Sequence, residues 1–186
     1  MPRKNKKSPK KTRSTKKSVP KLTQSPASND RILRTHLAAV LDADTAHADF
    51  NKTIDNWPES VRGVQPPGSP HSPWQLLEHL RIAQWDILEF SINPKHVSPD
   101  WPSGYWPTTD APPSDEAWDK SIKDFRQDLQ KMRDLISNPK TDLFAKIPHG
   151  TGQTILRQAL LLADHNSHHL GQLVLLRREL GAWPSE

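Results

Sequence analysis

Four long segments of the chain carry apolar residues at alternating spacings of three and four, the period of an amphipathic helix. The first runs from about residue 29 to 56, with Leu33, Leu37, Val40, Asp44, His47, Asn51 and Ile54 along one face. The second half of that face is polar. The second segment opens on Ser-Pro-Trp-Gln, where Ser72 can cap, Pro73 suits the first helical position and Gln75 completes a capping box. Its face is Leu76, His79, Ala83, Asp86 and Phe90, so two ionisable groups stand where a core takes leucine. The third follows Ser114, a capping residue, with Asp115 and Glu116 at the positive end of the helix dipole. Its face, Trp118, Ile122, Phe125, Leu129, Met132 and Ile136, is wholly apolar.

The fourth segment spans about residues 153 to 180. At 100° per residue, Ile155, Leu162, His169, Leu173, Leu176 and Leu180 share one direction to within about 40°. His165 lies about 40° and Gln172 about 60° to one side of it, and His168 is rotated by about 100° from His169. A second apolar edge, Leu156, Leu160, Ala163, Ser167 and Val174, covers the back of this helix beside Gly171. A mid-helix glycine costs about 1 kcal/mol relative to alanine, so Gly171 is expected to admit a close approach by another helix.

The connections predict the winding. Residues 57–71 are rich in Pro and Gly, and residues 91–113 hold six prolines with Trp101, Tyr105 and Trp106. A helix of about 20 residues spans ~30 Å, and the second connection is long enough to travel back along it. The second and third helices can therefore lie parallel, which predicts an all-α four-helix bundle wound up-down-down-up. A connection of this length is also often functional: its three aromatic residues either cover a site or pack the loop. Residues 142–154 are expected to form a short hairpin.

Charge divides the chain. Residues 1–28 hold ten Lys/Arg and no Asp or Glu, so the formal net charge of +5 belongs to them, and residues 29–186 are mildly acidic. This predicts a disordered basic tail, 1–28, and one folded domain, 29–186, large enough to bury roughly two-thirds of its unfolded surface. The tail reads first as a solvated extension; non-specific, salt-sensitive attachment to nucleic acid is the less favoured alternative, since it has no aromatic residue to stack on bases. There is no cysteine, which excludes disulfides, thiolate metal sites and a cysteine nucleophile, and makes an intracellular, cytoplasmic setting the default. No apolar run approaches the ~20 residues of a membrane span, and the basic start is not followed by the apolar stretch of a secretory signal.

Against this background the inward polar residues stand out. His165 and His169, four apart on one helical face, can both reach one metal ion, although core histidines bonded to neighbours produce the same spacing. Asp44, His47, His79, Asp86, His165, His169 and Gln172 all point inward near mid-height, and each unpaired polar group there costs about 1–3 kcal/mol. A divalent cation satisfies three such groups at once. Three neutral imidazoles leave it a position for water or substrate, and bound water then ionises near neutral pH.

The stretches "SPWQLLEHLRIAQWDILEF" and "HNSHHLGQLVLLRREL" resemble the DinB-like (YfiT-like) superfamily of metal-binding four-helix bundles, over about residues 30–183. The resemblance implies the up-down-down-up bundle and a three-histidine site carried by His79, His165 and His169, with Zn²⁺, Ni²⁺ or Fe²⁺ as occupant. It also implies reactions of the thiol-dependent transferase or isomerase kind, using a low-molecular-weight thiol cosubstrate. The pattern departs at His168, where an aromatic residue is expected.

The leading reading is a metal-dependent enzyme of small molecules, a transferase or hydrolase. Asp86 and His47 are candidates for orienting a ligand or moving a proton, or else form a buried hydrogen-bonded pair. Gln172 either orients a ligand imidazole, touches substrate or simply packs. The competing reading is a non-catalytic stress or binding protein whose metal only cross-links two helices. The wide apolar back of the fourth helix further suggests a homodimer.

Overall fold

The computed structural model of the protein describes residues 26–42 and 46–183. Five α-helices and two 3₁₀ turns account for its regular structure; among the described residues there is no strand, only an isolated bridge between Lys146 and Thr154. That bridge is what forms where a hairpin is expected. The basic tail up to residue 25 lies outside the described residues, as does Asp44.

The first predicted helix divides in two. Helix α1 covers Pro26–Asp42 and α2 covers Phe50–Ile54. The chain restarts at Asp49, whose side chain accepts the Lys52 amide at 2.7 Å, an N-cap that sets the backbone extended where a continuous helix needs it coiled. His47 consequently sits in a connection and not on a helical face. Helix α2 stays in place because it buries Phe50, Thr53 and Ile54. Its end is also held by Arg177, which donates to the carbonyls of Lys52, Thr53 and Asp55. Arg34 on α1 does the same for the end of the third long helix, donating to the carbonyls of Ile136, Asn138 and Thr141. Both arginines supply donors to carbonyls that a helix end leaves unpaired.

Helix α3, Pro73–Ile92, begins as its sequence indicates: Ser72 accepts from the Gln75 amide, and Gln75 returns a bond to the Ser72 amide. Ser72 Oγ also donates to the Asp110 carbonyl, fastening the far end of the long connection to the helix start. Helix α4, Asp115–Ser137, is capped by Ser114, and α5, Ile155–Glu179, by Thr154. Helix α3 packs against both α4 and α5, and α1 lies against the same two helices, so the four long helices make a bundle.

Two apolar clusters fill it. One gathers Trp57, Trp74, Leu77, Leu80, Trp118, Phe125 and Leu173; the other gathers Leu37, Leu88, Met132, Ile136, Leu143 and Leu162. Along α3 and α5 two buried polar residues, Gln84 and Asn166, lie between the clusters. Among the described residues of the chain, no other helix meets Gly171. Nothing lies within 4 Å of where its Cβ would stand, because α5 buries its Leu170 and Leu173 side and leaves Gly171 facing outward. On the back edge Leu160 is half exposed. Among the described residues no helix is long and apolar enough to cross a membrane.

Candidate metal centre

The bundle brings His79 of α3 together with His165 and His169 of α5. One nitrogen from each ring lies within 4.8 Å of the others, and this is the group among the described residues able to hold a metal ion. His165 and His169 share a face because four residues make little more than one helical turn. The Nε2 atoms of His79 and His165 are 3.1 Å apart. Two ligands of one tetrahedral ion, each about 2.0–2.1 Å from it, lie roughly 3.3 Å apart, so the spacing suits a shared cation.

Tautomers favour the same arrangement. His79 Nδ1 donates to the Tyr105 carbonyl at 2.9 Å, which leaves a lone pair on Nε2. His169 Nδ1 donates to Gln172 Oε1 at 2.6 Å, and Gln172 Nε2 donates in turn to His168 Nε2 at 3.3 Å. The Gln172 amide is thus oriented by His168 while it orients His169. Burial lowers the pKa of all three histidines, to about 4 for His165 and for His169. For His165 the neighbouring His169 and His79 add to the effect of burial; for His169 the Gln172 bond opposes it. The rings are neutral at pH 7 and available as ligands. His165 Nδ1 is buried without a hydrogen-bond partner, a cost that a bare hydrophobic core does not repay. Convergent neutral imidazoles with no thiolate or carboxylate among them fit a divalent ion such as Zn²⁺.

The long connection walls the site. Trp106 stacks on His79 at 3.9 Å and 3°, and on His71 at 3.9 Å and 17°. Tyr105, the end of the Ser103–Tyr105 turn, supplies the carbonyl behind His79, and its hydroxyl donates to Asp86 Oδ2 at 2.7 Å. Burial and that bond push the Tyr105 phenol up to about 12. The other Asp86 oxygen accepts from His96 Nε2 at 2.7 Å. Asp86 therefore touches none of the three histidines and reaches His79 through Tyr105. Of the three loop aromatics, Trp101 is the exposed one and rests its edge on Tyr105. His47 is exposed and bonds Ser167 Oγ at 3.0 Å, on the flank of α5, away from the three rings. Gln172 does touch a member of the cluster, and with His71 it lines a cleft of about 270 Å³ floored by Leu76 and Leu176.

Two contributors have no counterpart in the sequence expectation: the Tyr105 carbonyl and His71. The first is a backbone atom and leaves no signature in residue type.

A family model described as the DinB superfamily matches residues 42–173, a span that holds all three histidines. No curated protein and no solved structure matches the chain.

Proposed function

The chain belongs to the DinB superfamily, and from that premise we propose that it is a metal-dependent enzyme, a transferase or hydrolase, acting on a small molecule at His79, His165 and His169. The observation that carries the reading is the convergence of three neutral imidazoles beside a cleft, with Gln172 and His71 belonging to both. The three imidazoles would hold Zn²⁺, Ni²⁺ or Fe²⁺, which would lower the pKa of water, or of a low-molecular-weight thiol cosubstrate, toward neutrality.

The protein's own residues do the rest. Gln172 and the Tyr105 carbonyl hold two rings in the ligating tautomer. Trp106 covers His79 and excludes water from that side. Leu76 and Leu176 give the cleft an apolar floor for the body of a substrate, while Ser69 and His71 offer polar contacts at its wall. Neither Asp86 nor His47 touches the three rings; Asp86 acts by holding Tyr105.

The test is ligand exchange in the Co²⁺ or Ni²⁺ form. Titration with a small thiol or azide is expected to shift the visible spectrum, since an enzyme of this kind keeps a replaceable ligand. A spectrum indifferent to both additions would mark the ion as a structural cross-link between α3 and α5 and remove the enzymatic reading.

A further inference from the structure

One face of α5 carries no cover from the rest of the described chain. At 100° per residue, Arg157, Leu160, Asp164, Leu175 and Arg178 all lie within about 40° of the direction of Gly171, and all six are exposed. Leu160 is 52% and Leu175 60% exposed, although both belong to a helix whose opposite side is core. Nothing lies within 4 Å of where a Gly171 Cβ would stand, so the backbone itself is open at the centre of the face. A glycine inside a helix gives up helix stability, and Gly171 adopts no positive φ that would require it. Among the described residues neither Asp164 nor Arg178 enters an ion pair; the Arg178 guanidinium lies over Trp183.

The face is complementary to itself. Asp164 stands seven residues before Gly171 and Arg178 seven after it, each about 20° off its direction and about 10 Å along the axis. We propose that this face of α5 joins two copies of the chain antiparallel, with the two Gly171 backbones meeting at the two-fold axis. Each Asp164 then stands opposite the partner's Arg178, as the isologous contact of a two-fold pair requires. Leu175 faces the hole between the partner's Asp164, Ser167, His168 and Gly171, a hole deepened by the missing side chain. Centring the pair between Ser167 and His168 would match Leu160 with Leu175 but set Arg157 against Arg178 at both ends, so charge selects the glycine-centred register. Charge also selects the occupant. The basic N-terminal segment holds ten Lys/Arg and no acidic residue, and a face with two arginines to one aspartate repels it. Leu175 borders the cleft beside the metal centre as well, so the partner's α5 runs along the rim of that cleft.

One helix face per copy is at the small end of interface sizes, so sedimentation of full-length protein from about 5 to 500 μM is expected to show a reversible monomer–dimer equilibrium. Gly171→Leu fills the crossing point and is expected to stay monomeric over the same range. Asp164→Arg and Arg178→Asp each set like charges opposite one another and are expected to weaken the dimer at least about ten-fold. Mixed in equal amounts, these two variants are expected to pair with each other as tightly as the native chain, because one then carries arginine and the other aspartate at both positions. All three substituted residues are exposed, so the folded monomer is kept. A native protein that remains monomeric leaves the face to some other occupant and overturns the proposal. So does a Gly171→Leu protein that dimerises like native, which would place the contact elsewhere. Failure of the two charge variants to associate when mixed overturns the antiparallel register and the proposal with it.

Discussion

At the scale of single residues, direction separates the four histidines that α3 and α5 bring together. His79, His165 and His169 each bring a nitrogen into one cluster, while His168 is exposed and meets Gln172 and, at a steep ring angle, His169. His79→Ala, His165→Ala and His169→Ala are each expected to lower metal affinity by at least ~100-fold, since each removes one of three ligands. His168→Ala is expected to stay within about ten-fold of native, because it loses only the bond that steadies the Gln172 amide. Dye-competition titrations at fixed pH compare the four. A His168→Ala protein that loses metal while His165→Ala keeps it would sink the assignment of the ligand set.

At the scale of elements, the first part of the long connection between α3 and α4 is held by one carboxylate. Asp86 binds His96 at one point and Tyr105 nine residues later, and Tyr105 then supports His79. Asp86→Ala releases both points and is expected to weaken metal binding about 10–100-fold although it touches no ligand. Tyr105→Phe keeps the carbonyl and the His96 bond, so its loss should be smaller. Native affinity in both variants would show that the connection does not need this anchor. How much of this could be read in advance depended on whether the signal was local. The caps at Ser72 and Ser114 are made by residues three positions apart, and the apolar stripe of α4 has no competitor, so both were plain. The break after α1 was hidden because the three-four spacing continues through Asp44 and His47 while the cap at Asp49 overrides it. In α3 two stripes overlap. Periodicity favoured Leu76, His79, Ala83, Asp86 and Phe90, but the deepest line is Leu77, Leu80, Gln84, Leu88 and Ser91, which only the packing of α4 and α5 on either side selects. The histidine pair of α5 was legible from its spacing, and Gln172, three residues beyond His169 on the same helix, was a candidate for orienting an imidazole; the Tyr105 carbonyl behind His79, a backbone atom of a distant loop, was not legible.

At the scale of the whole molecule, the site makes folding sensitive to acid. His165 and His169 have folded pKa values of about 4, below the ordinary value of about 6.5 that they regain on unfolding. Between those limits the unfolded chain binds more protons, so the stability contributed by keeping the rings neutral is complete above pH 6.5 and is lost as pH falls toward 4. Urea denaturation of metal-free protein at steps from pH 7 to 4.5 is expected to show a falling midpoint, and a smaller fall in His165→Gln. A midpoint that is flat over this range, or equally steep in the variant, would mean the acid response arises elsewhere. The twin anchoring of the connection has a further use for protein engineering. Because one carboxylate secures the chain at His96 and again at Tyr105, the residues between form a closed loop whose ends stay fixed whatever lies between them. Gly104, tight against Pro99, has to remain small, but Val97 projects into solvent. A fluorophore or a grafted recognition peptide attached there would hang from a fixed base, one carboxylate away from the chain that supports His79.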